Sequence, residues 1–486
     1  MALSITQQPR YKTLPAAQPV IFTVSDASYV AANYKIKYVA EVYISTTSTG
    51  IIATANKVAT LKTSPNGSGV GIFDLRSIIE SYVSPDYTGA YVNPATQSNY
   101  SKYKTTGWSE LTPHPIHLID KYCCNSTSAR YFAVRFKIEG ATSQTGSVTD
   151  SGQTSDSDTN LVYNGYIKNE DELYLDSANG EFGYNLETSS THVIMNDGTN
   201  GSFLTNAPKR LKARLTDYGT MAFFNHLTGA NNDFEIGGGG ATTKKVDKIT
   251  IELYDSSGSQ LGTDIDVTCQ ASNGGSAGTD GKSYYKLQYF GCYPANLDNW
   301  NTTWDTHKAN VSYYTIQAYN DASQKIAKEY RIDIIEDCKF DGIRLAWVNK
   351  YGVWDYYTFN MKSSRSLTTK RTPYTQIDGT WNDTIYRMHG YQGGEKNFRV
   401  NTKEKIKVNT DFISEAEAVW FEELIASPEV YILNGFTSSD TNMLRKFVEP
   451  VTLTTTSYTR KTKANDKLIQ YTFEVERTKN NNIQSI

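Results

Sequence analysis

The run Lys467-Leu-Ile-Gln-Tyr-Thr-Phe-Glu-Val-Glu476 alternates without a break, with Ile469, Tyr471, Phe473 and Val475 on one side and Leu468, Gln470 and Thr472 on the other. A period of two fits an extended strand with one buried face, because a helix would scatter those residues around its axis. Tyr34 to Ile44 repeats the pattern. Tyr34, Ile36, Tyr38, Ala40, Val42 and Ile44 share the expected core face, and Lys35, Lys37, Val39, Glu41 and Tyr43 share the face expected near water. Tyrosine is used 35 times, and Ser, Thr, Asn and Gly separate short apolar runs, a balance that favours antiparallel sheet.

At 486 residues the chain exceeds what one core organises, so several domains are expected. Residues 1–140 read as an N-terminal arm and a β-sandwich built from Val20–Val24, Tyr34–Ile44, Val58–Lys62 and Tyr131–Ile138, with turns such as Ser64-Pro-Asn-Gly67 between them. A short helix is expected behind Asp74, a good N-cap, with Ile78, Ile79 and Tyr82 turned inward. Residues 141–160 hold almost nothing to bury and read as a flexible linker. Residues 161–245 read as a connecting module that ends in the hinge Gly237–Gly240. No helix with Lys-Ser or Lys-Thr follows those glycines, so they are not a phosphate loop.

A second sandwich is expected over 246–338, from the hairpin of Lys248–Tyr254 with Gln260–Val267 and from Tyr284–Phe290, Val311–Tyr319 and Ala327–Ile335. Residues 339–486 read as a C-terminal β-rich domain. It opens on a hairpin that turns at Lys350-Tyr351-Gly352, with Ile343, Leu345 and Trp347 on one face of the first arm and Trp354, Tyr356 and Thr358 together on the second. It carries one helix, 414–427, announced by the capping-box spacing Ser414-Glu-Ala-Glu417 and stopped by Pro428. Val419, Trp420, Leu424 and Phe421 are its apolar residues. The expected fold is therefore mainly β: two fibronectin-III/immunoglobulin-like β-sandwiches plus a C-terminal α+β domain with one capped helix.

The chemistry-bearing residues point away from catalysis. His114-Pro-Ile-His117, Asp120, Cys123 and Cys124 are zinc-ligand types, but prolines at 113 and 115 bracket His114 and no CxxC pair accompanies them, so the stretch reads as structural. Asp156 and Asp158 lack the glycine and distal glutamate of a calcium loop. No Gly-x-Ser-x-Gly elbow occurs, and His192, His226, His307 and His389 lie in unrelated settings. Trp300 and Trp304 have rings suited to stacking on sugars, although strand aromatics more often build cores and subunit contacts. No catalytic, cofactor or metal residue is assigned.

A formal charge of −3 leaves no electrostatic footprint for nucleic acid, and the basic clusters Lys209–Arg214 and Arg460–Lys463 read as solvated faces. The N-terminal residues lack the pattern of a signal peptide, and no stretch approaches the roughly 18 apolar residues of a membrane span. Five cysteines without repeated spacing fit reduced thiols in a cytoplasm, with Cys269 and Cys292 the one conceivable pair.

The succession Arg344-Leu-Ala-Trp-Val-Asn, Trp354-Asp-Tyr-Tyr-Thr-Phe, Val408-Asn-Thr-Asp411, Glu422-Glu-Leu-Ile-Ala-Ser-Pro428 and Lys467-Leu-Ile-Gln-Tyr-Thr-Phe-Glu-Val resembles a family of virion structural proteins of tailed double-stranded DNA bacteriophages. Phe203-Leu-Thr-Asn-Ala-Pro208 and Gly71-Ile-Phe-Asp-Leu-Arg-Ser-Ile-Ile-Glu80 extend the resemblance to all three thirds of the chain. It implies a tail, baseplate or connector component, assembled in a host cytoplasm and residing in the virion. The partners it implies are other virion proteins and copies of itself, and it carries over no catalytic residue. The rival expectation is an adhesin or receptor-binding protein that recognises a host-surface glycan; a polysaccharide hydrolase stands third.

Overall fold

The computed structural model describes residues 2–9, 13–46, 50–84, 116, 122–124, 129–166, 202–224, 246, 248–268, 287–320, 322–335, 339–434, 448–461 and 469–479. The protein is mainly β. Contacts divide it into two compact units: Met1–Glu336 with Val348–Asp355 and Gly435–Arg445, and Asp337–Trp347 with Tyr356–Asn434 and Lys446–Ile486.

The first unit begins with β1 (Ser4–Gln7), β2 (Thr13–Pro15), β3 (Ile21–Ser25), β4 (Tyr34–Ser45), β5 (Lys57–Thr63), β6 (Val70–Asp74), β7 (Tyr122–Cys124), β8 (Ala129–Ala141), β9 (Thr149–Asp156) and β10 (Asn160–Tyr163). A three-stranded sheet, β1-β3-β6, packs on a six-stranded one, β2-β10-β8-β4-β5 with β9 added on β8. Phe22 of β3 and Phe73 of β6 both meet Phe136 of β8 at 5.6 Å between ring centroids, and Tyr38, Ala40, Val42 and Ile44 join the same core. The alternation of Tyr38 to Ile44 thus reads out as expected. Tyr34, counted with that face, is exposed.

The other face of β4 departs from expectation. Val39, Glu41 and Tyr43 are buried too, because β4 is an interior strand flanked by β5 and β8. The Glu41 carboxylate accepts from Lys57 Nζ at 2.5 Å and from Tyr43 Oη at 3.0 Å, and lies 3.2 Å from Lys137 Nζ. Burial alone would raise its pKa, but those donors overcome burial and hold it at about 2. A carboxylate depressed in the folded state contributes stability above its usual value of 4.5 and loses it as pH falls toward 2. Glu41→Gln should therefore cost about 1–2 kcal/mol at pH 7, since both lysines are partly solvated. The difference from wild type should shrink between pH 5 and pH 3, as read by urea unfolding.

Two further expectations are corrected here. Residues 149–156, expected within a flexible linker, form β9: an outer strand needs a neighbour's backbone more than apolar side chains, and β8 supplies it, with Arg135 forking onto Asp156 at 2.7 and 2.8 Å. The helix behind Asp74 forms over Arg76–Glu80, but its N-cap is Leu75, with no side-chain cap; Asp74, one residue earlier, accepts from Arg76 N at 3.0 Å. Ile79 is buried, but Tyr82, past the helix end, is exposed.

The second sandwich lies in the same unit. It adds β11 (Arg210–Ala213), β12 (Thr220–Phe224), β13 (Lys248–Tyr254), β14 (Ile265–Thr268), β15 (Leu287–Gly291), β16 (Tyr313–Tyr319) and β17 (Tyr330–Ile334). The five-stranded sheet runs β11-β17-β16-β13-β14 and the three-stranded one β12-β15-β7. Phe203 joins them, with its ring 5.2 Å from Phe290 on β15, 6.3 Å from Phe223 on β12 and 5.3 Å from Tyr330 on β17. The strands expected over 246–338 are present, yet the sandwich borrows from elsewhere. β11 pairs parallel with β17, and β7, from the first 140 residues, pairs with β15. The stretch 161–245 is therefore divided: Leu161–Tyr163 continue β10, which completes the first sandwich, whereas β11 and β12 belong to the second. Gly237–Gly240 lies outside the described residues.

The second unit holds one seven-stranded sheet with the order β19-β18-β22-β23-β24-β21-β20. Its strands are β18 (Ile343–Val348), β19 (Trp354–Phe359), β20 (Ser364–Gln376), β21 (Gly394–Asn409), β22 (Val430–Leu433), β23 (Val448–Leu453) and β24 (Thr472–Arg477). The helix Glu415–Ala426 packs on it, held at its start by the expected capping box: Ser414 Oγ accepts from Glu417 N at 3.3 Å and the Glu417 carboxylate accepts from Ser414 N at 2.7 Å. Its buried residues are Ala418, Trp420, Phe421, Glu423 and Leu424, with Val419 only half-buried, because helical spacing aligns 417, 420, 421 and 424. Phe421 meets Phe473 of β24 at 5.5 Å, and Ile469, Tyr471, Phe473 and Val475 are all buried, as their alternation predicts.

Candidate interaction surface

β20 and β21 pair antiparallel from Ser364 with Lys407 to Gln376 with Gly394. The neighbour β24 reaches only Lys405–Asn409 of β21. From Leu367 and Glu404 outward the hairpin is a two-stranded ribbon with no third strand among the described residues, and ten residues at about 3.3 Å each carry it about 30 Å. Nearly every residue of β20 is exposed, so neither face of the ribbon contributes to the sheet's core.

The ribbon ends in a tip, 377–393, where large apolar side chains are exposed among polar and charged ones, Asp378, Asp383 and Arg387 included. Ile377 is 73% exposed, Trp381 82%, Met388 77% and Tyr391 72%, with Ile385 and Tyr386 close behind. Leu367, Tyr374 and Phe398 add exposed apolar groups along the shaft. The tip is built, not slack. Thr380 N donates to Arg387 O and Arg387 N donates back to Thr380 Oγ1, each at 3.0 Å, while Asp383 lies 3.4 Å from Arg387. Lys396 Nζ donates to Tyr391 O at 2.5 Å and to Gln376 Oε1, tying the tip to the shaft, and the His389 and Tyr391 rings stack at 5.7 Å. Gly393 sits at φ +82, where a Cβ would fall on the Asp378 carboxylate.

Together the six tip side chains expose on the order of 800 Å², about what one partner contributes to a stable protein interface. The surface can exclude water from a partner and present rigid rings to it. It offers no converging acid, base or nucleophile.

The residues singled out from sequence are dispersed. His114, His117, Asp120, His192, His226 and Cys269 lie outside the described residues. Cys123 and Cys124 are in β7, paired with Tyr289 and Gln288 of β15, and Cys292 is buried. Among the described residues no group of three or more His, Cys, Asp or Glu side chains is placed to hold a metal. Asp156 is engaged by Arg135, and Asp158 accepts from Gln8 Nε2 at 3.4 Å. Trp304 is buried edge-on against Tyr314 at 5.6 Å, so its ring faces no sugar. His389 alone of the histidines falls on the tip. Among the described residues no helix is long and apolar enough to cross a membrane.

The basic clusters are not uniform solvated faces. Arg460 pairs with Glu422 at 2.6 Å, and Arg210 with Asp333 at 2.5 Å. Lys209 turns inward: its Nζ lies 3.8 Å from the centre of the Tyr330 ring, contacts Tyr330 Oη, and donates to Ser202 Oγ at 2.9 Å. Burial, with Lys328 as a second cause, brings its pKa from 10.5 down to about 7. Between those values the folded chain binds fewer protons than the unfolded one, so stability rises with pH across that window. The ring face favours the cation and works against the shift. On that balance, the stability of wild type relative to Lys209→Met should grow by about 2 kcal/mol between pH 6 and pH 9.5, measured by urea unfolding.

No family model matches the sequence, and no curated protein matches it. Among solved structures the chain is similar to the native conformation of E. coli alpha-2-macroglobulin, at 7% identity over 84% of this chain and 22% of that one, with a TM-score of 0.18. It is similar also to a marsupial T cell receptor, at 8% identity over 84% of this chain and 96% of that one, with a TM-score of 0.16. Likenesses this remote carry no argument about fold or function.

Proposed function

We propose that the protein is a non-enzymatic structural component of a tailed-bacteriophage virion, a tail, baseplate or connector part that acts by binding other proteins. The observation that carries the binding role is the arm formed by β20 and β21, whose ordered tip leaves six large apolar side chains mostly exposed. Such a surface is costly in a protein that works alone and is suited to one that is gripped by a neighbour. The phage assignment rests on the sequence resemblance. Mass spectrometry of purified particles, with electron microscopy of particles made without the protein, tests it: a missing or malformed tail part is expected, and intact infectious particles lacking the protein overturn the reading.

A second reading, a glycan-binding adhesin, is supported by the outward rings of Trp381, Tyr386 and Tyr391 on the same tip. Saturable binding on a glycan array that is lost with Trp381→Ala would favour it.

A further inference from the structure

We infer that one face of the arm formed by β20 and β21 binds single-stranded nucleic acid, with phosphates on a row of lysines and arginine and bases on the exposed rings of Tyr374 and Phe398. The inference goes beyond the structural role proposed above and stands on a different surface, the shaft and not the apolar tip.

Strand alternation sorts the shaft's charges. Residues directly opposite in an antiparallel pair share a face, and every second residue along a strand returns to it. One face therefore carries six cations, Lys370, Lys396, Arg399, Lys403, Lys405 and Lys407, and no carboxylate of either strand. Both glutamates, Glu395 and Glu404, fall on the other face with Arg365 and Arg371. A bulge preserves this sorting: Thr372 pairs with Arg399 and Pro373 with Asn397, so Phe398 is skipped and Tyr374, opposite Lys396, stays on the cationic face. A formal charge of −3 for the whole chain averages the asymmetry away, so composition hides it.

Half of these cations are committed within the fold. Lys403 pairs with Glu476 at 2.5 Å and Lys405 with Glu474 at 2.9 Å, and Lys396 is held by Gln376 and Tyr391 O. Lys370, Arg399 and Lys407 are exposed and pair with no carboxylate among the described residues; Arg399 Nε donates to Asn401 Oδ1 at 2.8 Å, which aims the guanidinium along the face. Alternate residues of a strand stand about 7 Å apart, close to the spacing of successive phosphates on an extended nucleic-acid strand. The partner's class follows from what else the face holds. It has no Leu, Ile, Val or Met from either strand, so an acidic peptide would find no aliphatic anchor. Its large apolar groups are rings, Tyr374 at 37% exposed and Phe398, in the bulge beside Arg399, at 55%. An unpaired base can stack on such rings, whereas a duplex keeps its base faces covered.

The test uses the full chain and fluorescence anisotropy of a labelled oligo(dT) of about 20 nucleotides. Wild type should bind with a micromolar Kd at about 0.05 M NaCl, and log K should fall with log salt at a slope of about −2 to −4, as three to six phosphate contacts require. K370A/R399A/K407A should weaken binding by about a hundredfold at that salt and flatten the slope by about 2. Y374A/F398A should weaken it by about tenfold or more and leave the slope unchanged, because stacking releases no counterions. The tip variant W381S/I385S/Y386S/M388S should bind like wild type. All the replaced side chains are exposed, and far-ultraviolet circular dichroism with thermal melts establishes that each variant folds.

No saturable binding at about 0.1 mM protein and 0.05 M NaCl overturns the proposal, as does a folded K370A/R399A/K407A that binds like wild type. Loss of binding in the tip variant would move the contact off the shaft and overturn it too. A duplex of the same length that binds as tightly as the single strand, with Y374A/F398A without effect, overturns the single-strand assignment. Polyglutamate that displaces the oligonucleotide at equal charge concentration would make an acidic polypeptide the occupant, against the proposal.

Discussion

Trp420→Ala should destabilise the second unit by about 3–5 kcal/mol, the cost of removing a large aromatic side chain from a core that cannot collapse around the void. Trp420 is 1% exposed, and its ring lies 5.0 Å from Trp347, 5.3 Å from Phe421 and 6.1 Å from Tyr357. A helix of 12 residues is marginal by itself in water, so the segment Glu415–Ala426 depends on this packing to stay formed. Its capping box contributes about 1 kcal/mol, which cannot replace the buried ring. Urea unfolding followed by tryptophan fluorescence should show the variant's transition moved to lower denaturant with the slope retained. A shift worth less than about 1 kcal/mol would mean that the helix is held by something other than its aromatic face.

The reach of sequence reasoning follows from where side chains face. Ile469, Tyr471, Phe473 and Val475 were legible as one inward row because one side of that strand is apolar and the other polar. The capping box was legible because it needs only two residues three apart. β20 carried no such signal: Ser364–Gln376 is exposed on both faces, so no binary pattern marks it as strand. A signal for the arm does exist. Trp381, Ile385, Tyr386, Met388 and Tyr391 are apolar residues with no strand or helix period, placed between two polar, lysine- and arginine-bearing runs.

Strand exchange between the sandwiches was illegible for a different reason. β7 has three residues and β12 five, too short for periodicity, and their partner β15 lies more than sixty residues from either. Register across such distances is set by the assembled core, with Phe203 at its centre, and not by local sequence. The same non-locality made Lys209 look like one of several surface cations. Only the fold places Tyr330, more than a hundred residues on, against it.

Gly352→Ala should cost about 3–4 kcal/mol, from one added methyl group. The turn read from Lys350-Tyr351-Gly352 is present, with Gly352 at φ +73, where an L side chain alone costs about 1–2 kcal/mol. The larger part is steric. A Cβ at 352 would lie 1.6 Å from the carbonyl oxygen of Asn164 and 2.6 Å from its carbonyl carbon, both backbone atoms, so the two segments must separate. Separation breaks what the turn holds: Tyr166 N donates to Lys350 O at 2.7 Å and Asn349 Nδ2 donates to Leu204 O at 2.9 Å, each joining 348–355 to the rest of the first unit. Asn349 Oδ1 also accepts from Tyr351 N at 2.9 Å, so the turn's own shape depends on the residue that makes the long-range bond. Gly67→Ala provides the contrast. A Cβ there meets no atom within 4 Å and φ is not positive, so the change should fall within about 0.5 kcal/mol of wild type. Thermal melts of the two variants in one buffer decide the matter: equal melting temperatures would mean that the turn at 352 can move off Asn164 without loss, and that residues 348–355 are not a fixed part of the first unit.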